Sequence, residues 1–373
     1  MDTLPTDAIS HFCVEGELQS LSPFGGGHIN DTYLAVYGLA DGSEKRYILQ
    51  RVNQHVFRNV ALLMENIENI TSFLSEKLKK MGRDPNRETL QMIRTESGDS
   101  YYRMPDNECW RVFHYIEGSV SMEKARTTED FKAAGAAFGR FQWLLSDYPA
   151  ESLNESIPHF HDTPQRVKRF WTILAEDIMS RASDIKDEVA FISERASQAD
   201  YLIGLLGEGK IPVRVTHNDT KLNNILFDAT SEEALCVVDL DTVMPGLCHY
   251  DFGDAIRFGA STTAEDEADL QKVEIDLALF EAFAQGFLCE TRGTLNEIER
   301  QTLLWGAKLI TFECGIRFLT DFLEGDIYFK THRSGQNLDR ARNQFKLVMS
   351  MEENWEKMQL ILDSILEETS ASS

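Results

Sequence analysis

The chain has 373 residues, 42% of them apolar and 10% aromatic, and a formal net charge of −24. That length suits about two domains or one large two-lobed fold, and the apolar content is too high for a disordered chain. So acidic a protein is repelled by phosphate backbones and anionic lipid, which excludes nucleic acid and membrane surfaces as expected partners. Any anionic ligand then needs a local cation. The start, Met1 to Asp7, has neither the basic nor the apolar segment of a secretory leader. No stretch reaches the roughly eighteen apolar residues of a membrane span. Six cysteines without a CxxC pair point to free thiols and a cytoplasmic location, and no protein partner is evident.

The first third of the chain reads as short strands. Leu18–Phe24 and Asp31–Tyr37 flank Gly25–Gly27, and Arg46–Val52 follows a turn at Asp41–Ser43. Leu90–Thr95 and Tyr101–Met104 lie either side of Ser97–Asp99, and Trp110–Ile116 is an apolar run. From these six short runs a five-stranded antiparallel sheet is expected. One helix, about Asn59–Lys80, interrupts it, with Leu62, Ile67, Ile70 and Leu74 near one stripe. After Gly118 the pattern turns to long amphipathic helices. One opens at a Thr128 cap and carries Phe131, Ala134, Phe138, Phe141 and Leu145 on one face; others are expected over 185–206, 266–289, 295–323 and 338–366. A β-rich insert, Ile211–Thr242, sits among them. The expected class is α+β, with a small β lobe (1–117) and a larger, mainly helical lobe (118–373).

The insert carries the chemistry. Val-Thr-His-Asn-Asp-Thr-Lys-Leu-Asn-Asn-Ile-Leu-Phe-Asp (Val215–Asp228) reads as strand, polar loop, strand, and Val-Val-Asp-Leu-Asp (Val237–Asp241) follows as an apolar strand ending in acid. A carboxylate able to accept a hydroxyl proton (Asp219), with an amide oxygen (Asn224) and a second carboxylate (Asp239) able to hold Mg²⁺, is the set that phosphoryl transfer needs. The pattern His-x-Asp-x-x-x-x-Asn, then a strand and Asp, resembles the catalytic core of the aminoglycoside phosphotransferase and choline kinase superfamily, relatives of the protein kinases.

The resemblance implies a protein-kinase-like bilobed fold and a set of roles. Asp219 is the base, Asn224 and Asp239 are Mg²⁺ ligands, and His217 is a structural member of the loop. Asp251, despite its Asp-Phe-Gly context, is expected to open a helix as its cap and to brace the loop. Asp241 is expected on the same strand face as Asp239 if the strand persists. Gly25, Gly26 and Gly27 match the nucleotide-covering loop, and Tyr115 and Ile116 the hinge whose backbone meets adenine. The strand position that usually holds a phosphate-binding Lys or Arg is Gln50. Either Arg51 turns inward at a bulge, or the phosphates rely on Mg²⁺ and backbone donors. Glu68 is the corresponding helix carboxylate.

Blocks spanning nearly the whole chain sharpen the likeness: Phe24–Leu34, Tyr47–Asn53, His159–Pro164, Thr216–Leu226, Asp251–Ser261, Glu313–Leu319 and Leu323–Phe329. In this order they resemble the bacterial N-acetylhexosamine 1-kinases. That implies ATP as co-substrate, Mg²⁺, and a neutral amino sugar phosphorylated at its anomeric hydroxyl, with His28, Arg317 and Tyr328 as sugar contacts beside Asp219. Arg317 reads equally as an ion-pair partner of Glu313 at i, i+4. His159, His161 and Asp162, between Pro158 and Pro164, read as a structural or substrate-adjacent loop. An aminoglycoside or choline kinase and a nucleotide-binding pseudokinase are the alternatives.

Overall fold

In the computed structural model, residues 5–25 and 29–371 are described. The chain divides into two compact units. One comprises Met1–Val120, Ser152–Pro158 and Leu226–Met244; the other comprises Ser121–Glu151, His159–Ile225 and Pro245–Ser373. Two segments from the later chain thus return to the first unit, an interleaving that no single boundary in the sequence expresses.

The first unit is built on an antiparallel sheet of β1 (Glu17–Pro23), β2 (Asp31–Gly38), β3 (Glu44–Arg51), β4 (Met92–Ile93), β5 (Tyr102–Arg103) and β6 (Cys109–His114). The order is β1-β2-β3-β6-β4, and β5 also pairs with β6. All six short runs read from the sequence are strands, one more than the five expected; those either side of Ser97–Asp99 are only two residues each and pair with successive parts of β6. The period-2 pattern of β3 turns Tyr47 and Leu49 into a core with Ala35, Val112 and Trp110, against which Ile9 and Phe12 pack. Each such fully buried Leu or Phe contributes about 1.5–3 kcal/mol. The helix Val60–Lys80 is capped by Asn59, whose side chain accepts from the Leu62 amide, and it buries Leu63, Ile67, Ile70 and Leu74. The inward stripe is therefore shifted by one residue at Leu62.

In the second unit, the helix Thr128–Leu144 is capped one residue earlier than expected, at Thr127 and not at Thr128. Thr127 and Asp130 form a capping box that satisfies two otherwise unpaired amides. Gly135 and Gly139 let this helix lie backbone to backbone on Leu277–Glu290, since a Cβ at either would strike the carbonyls of Phe283 and Phe287. Helix Leu303–Glu324 is buried almost throughout and packs against Cys248–Gly259, Thr163–Glu176 and Gln336–Glu353. Phe170, Ile192, Phe312, Leu319 and Phe345 form the core there.

The long amphipathic patterns break into shorter helices. The 185–206 pattern becomes Lys186–Arg195 and Tyr201–Gly207, and the 338–366 pattern becomes Gln336–Glu353 and Trp355–Ala371. The 266–289 helix begins only at Leu277, after Asp276 accepts two amide hydrogens. His159, His161 and Asp162 lie in a loop, as read, and it ends at once in the helix Thr163–Glu176, which Asp162 caps with Pro164 in its first turn. Among the described residues no helix is long and apolar enough to cross a membrane. All six cysteines are free thiols, four of them buried.

Candidate active site

The strand Arg214–Thr216 delivers the chain to His217, Asn218 and Asp219, with Asn218 in the left-handed region at φ 64°. Such a tight turn leaves backbone amides pointing inward, and one carboxylate collects them. Asp251 Oδ2 accepts from the His217 amide at 3.0 Å and from Gln142 Nε2 at 2.6 Å, while Oδ1 accepts from the Asn218 amide at 2.8 Å. The next turn is held the same way: the Thr220 hydroxyl donates to the Asp251 carbonyl at 2.7 Å and its amide to Asp254 Oδ2 at 2.9 Å. Asp251 therefore braces the loop, as expected, but it is not a helix cap. The helix runs Cys248–Gly259 with Leu247 before it, so Asp251 already lies in its first turn with a carboxylate free for the loop. Burial pushes this carboxyl up, against the pull of His217 and the amide donors. His217 is itself buried, edge-on to Phe138 and Phe141.

Held this way, Asp219 meets two partners. Asn224 Nδ2 donates to its Oδ2 at 3.0 Å and to its carbonyl at 2.9 Å. Lys221 Nζ lies 2.8 Å from its Oδ1. Burial would raise this carboxyl, but the Lys221 ammonium, His217 and the Asn224 amide outweigh it and leave it below the usual carboxylate range. Lys221 in turn is raised, chiefly by Asp219. Lys221 was missed at the level of sequence, although its place two residues after Asp219 was the available signal.

In the first unit the strand Ala234–Val237 ends early. Asp239 takes a left-handed conformation at φ 59° and leads into a single tight turn, Leu240–Thr242. The strand does not persist to Asp241, which is nearly fully buried and pairs with Arg111 at 2.6 Å. Arg51 does not turn inward: the β3–β6 register is regular, and its guanidinium pairs with Asp31 and, at 3.2 Å, with Glu108. Glu68 pairs with Arg94 near the surface. Gly25 has φ 72° and open space where a Cβ would stand; Gly26, Gly27 and His28 lie outside the described residues. Ile116 is buried, and Tyr115 donates its amide to the Arg46 carbonyl at 3.1 Å with the Arg46 guanidinium over its ring.

The last expected group, on Leu303–Glu324, departs from its simplest reading. Glu313 does not pair with Arg317. Its oxygens take His161 Nδ1 at 2.9 Å and the Thr163 hydroxyl at 2.7 Å. Burial would raise the Glu313 carboxyl, but His161, Arg317 and Arg166 bring it below its usual value. An ionised carboxylate only accepts, so His161 donates from Nδ1, and its buried Nε2 has no partner among the described residues. Arg166 Nε is buried and unpartnered in the same way. Arg317 makes no hydrogen bond or ion pair among the described residues, and its guanidinium lies 5.2 Å from the ring of Phe160, 5.9 Å from Tyr328 and 5.5 Å from Phe329. Tyr328 is 56% exposed. Its loop is organised by Asp321, which accepts from the amides of Ile327, Tyr328 and Phe329.

Known structures place this architecture. The fold matches an aminoglycoside phosphotransferase from Alicyclobacillus acidocaldarius, with TM-score 0.59 and 12% identity over 100% of this chain and 98% of that one. It matches a microcompartment-associated aminopropanol kinase with TM-score 0.61 and 16% identity, covering 95% of this chain and 98% of the other. A choline kinase from Cryptosporidium parvum aligns with TM-score 0.53 and 14% identity over 95% and 93% of the two chains. In sequence, residues 20–285 match the APH phosphotransferase enzyme family model. That match takes in the glycine loop, the Asp219 segment, Asp239 and Asp251, and the chain belongs to the APH phosphotransferase enzyme family.

Proposed function

We propose that this phosphotransferase is an ATP-dependent kinase that phosphorylates the anomeric hydroxyl of N-acetylhexosamines, giving the sugar 1-phosphate. The observation that carries the reading is the Asp219 carboxylate, kept ionised by Lys221 and Asn224 in a loop that Asp251 holds rigid. A carboxylate so placed orients a hydroxyl and takes its proton late in a loose transition state, and the anomeric hydroxyl is acidic enough to need no stronger base. In this reading residues 1–117 cover the nucleotide, with Gly25–Gly27 over its phosphates and the backbone near Tyr115 and Ile116 against adenine, while 118–373 carries catalysis and the acceptor. Arg51, already spent on two carboxylates, is left out of the phosphate contacts.

Asn224 and Asp239 supply hard oxygen donors that suit Mg²⁺. With its nitrogen committed to Asp219, the Asn224 amide has its oxygen left for a cation. The chemistry a bound Mg²⁺ supplies is neutralisation of phosphate charge.

The acceptor class rests on the Arg317 cluster. Unspent guanidinium donors beside Phe160 and Tyr328 suit hydroxyls, an acetamide oxygen and an apolar sugar face. They disfavour the cationic acceptors of choline and aminoglycoside kinases by like-charge repulsion. The deciding experiment is ADP release with N-acetylglucosamine, N-acetylgalactosamine, choline and kanamycin in parallel. Turnover with the two sugars alone is expected. Turnover with choline or kanamycin alone overturns the acceptor, and nucleotide binding without turnover on any acceptor overturns the enzyme.

A further inference from the structure

Within the first unit one charge stands where the strand pattern calls for an apolar residue. Strand β6, Cys109–His114, is buried along nearly its whole length, and Arg111 at its middle is 1% exposed. Its cross-strand neighbour in the β3–β6 register is Gln50, the residue standing where a phosphate-binding cation is otherwise expected. The two side chains touch: Arg111 Nε donates to Gln50 Oε1 at 3.0 Å, and Gln50 Nε2 donates to the Thr32 hydroxyl at 3.1 Å. The missing cation of β3 is therefore present one strand over, on the same rung of the sheet.

Its counter-charge is equally specific. Arg111 Nη1 lies 2.6 Å from Asp241 Oδ1, both side chains less than 5% exposed. Asp241 Oδ2 accepts from Asn30 Nδ2 at 2.6 Å, and the Asp241 carbonyl accepts from the Ser156 hydroxyl at 3.1 Å. Asn30 in turn accepts the Asn53 amide at 2.9 Å. Asp241 belongs to the single turn that follows Asp239, a non-glycine residue at φ 59°. A left-handed backbone of this kind persists only where its surroundings over-determine it. A buried ion pair is no better for stability than well-packed apolar residues of the same volume, so stability alone gives no reason to keep one inside this strand.

We propose that Arg111 is the positioning residue of the nucleotide-phosphate station: through Asp241 it holds Asp239 in the conformation that presents its carboxylate to Mg²⁺, and through Gln50 it sets the neutral amide on β3. This rests on the kinase reading above. It has a further consequence. Because Asp241 neutralises the guanidinium, the rung adds no net positive charge, and more of the phosphate charge is left to the metal.

The test is calorimetric titration of ADP with Mg²⁺ and, separately, with EDTA, beside a melting curve for each protein. Arg111→Met alone strands the Asp241 carboxylate and lowers the melting temperature under any account. The informative protein is Arg111→Met combined with Asp241→Asn, which removes both charges and keeps an acceptor for Asn30. Its melting temperature is expected to recover toward wild type while its affinity for ADP with Mg²⁺ stays about tenfold or more weaker, the usual cost of losing a residue that orients a metal ligand. Its affinity in EDTA is expected to be unchanged. Recovery of the Mg²⁺-dependent affinity along with the fold overturns the proposal, as does equal weakening with and without the metal. Should the double variant not fold, Arg111→Lys keeps a cation for Asp241 but not the fork that also reaches Gln50. Selective weakening with Mg²⁺ then supports the role, and unchanged affinity overturns it. A wild-type protein that binds no ADP in Mg²⁺ refutes the kinase reading itself, an outcome distinct from any difference between variants.

Discussion

Two polar regions of the second unit differ in how completely their groups are matched. Around the Asp219 segment, the amides of His217, Asn218 and Thr220 each end on a carboxylate, Asp219 is held by Asn224 and Lys221, and Asn223 Oδ1 alone of the loop's buried side-chain atoms has no partner among the described residues. Around Leu303–Glu324 the matching is incomplete: Glu313 is satisfied by His161 and Thr163, yet His161 Nε2, Arg166 Nε and the Arg317 guanidinium keep donors or acceptors unspent. A buried polar atom without a partner costs about 1–3 kcal/mol. A region that tolerates several is built to be completed by something else, whereas a nearly saturated one is built to hold a single group still.

The largest expected effect tests the saturated region at the residue it serves. Asp219→Asn preserves shape and keeps one of the two acceptor oxygens but removes the base, and kcat is expected to fall by on the order of 10² or more. The melting curve and the affinity for ADP with Mg²⁺ should stay near wild type. Turnover close to wild type would end the role assigned to Asp219.

Next comes the brace. Asp251→Ala takes the carboxylate acceptor from the His217 and Asn218 amides and leaves Gln142 Nε2 only the Val215 carbonyl, for an expected loss of about 3 kcal/mol in denaturant unfolding. Loss of a mere helix cap would be about 1 kcal/mol. A measured value at that lower level would mean that the loop holds its shape without Asp251.

The unsaturated region is tested by Arg317→Met, which keeps the apolar stem and deletes the donors. Sugar KM should rise about tenfold to a thousandfold, corresponding to roughly 1.5–4 kcal/mol, while the KM of ATP stays the same. Since Arg317 pairs with no acid among the described residues, its melting temperature should hardly change. Glu313→Gln, in contrast, should lower the melting temperature by weakening the His161 and Thr163 contacts. A drop in stability for Arg317→Met with an unchanged sugar KM would make this region as structural as the other.

The smallest effect is a shift in pH. The Asp219 carboxyl is lowered in the folded state, so it stabilises the protein above its unfolded pKa of about 3.9, and that contribution is lost as pH falls through the folded value. Lys221→Met removes the nearest charge that lowers it. The acid limb of the kcat/KM profile should move to higher pH, and acid unfolding should begin at higher pH. An acid limb that stays in place would show that Asn224 and His217 suffice to hold the carboxylate ionised.

Much of this was legible before any coordinates. The Thr216–Leu226 block is contiguous, so one reading of adjacent residues identifies the loop, its carboxylate and its asparagine. The small sheet and the long helices follow from periods of 2 and 3.6, which burial of one face imposes on any chain. Helix ends were less legible, because Thr127, Asp276 and Asp162 set them through one or two local capping bonds each. Arg317 could be named as a candidate, but whether it faced Glu313 or stood apart depended on residues 150 positions away.

What the sequence determined by itself is the chemistry carried by neighbouring residues: the acid, amide and strand spacing of the Asp219 segment, the neutral Gln50 on the third strand, and the net charge of −24. Tertiary structure alone decided the partners. Asp251 serves loop amides 33 and 34 residues back, Glu313 chooses His161 over Arg317, and Asn30 reaches Asp241 across 211 residues. The physical reason is that hydrogen bonding and ion pairing act over about 3 Å of space, and distance along the chain does not set distance in space until the sheet register and helix packing have been formed.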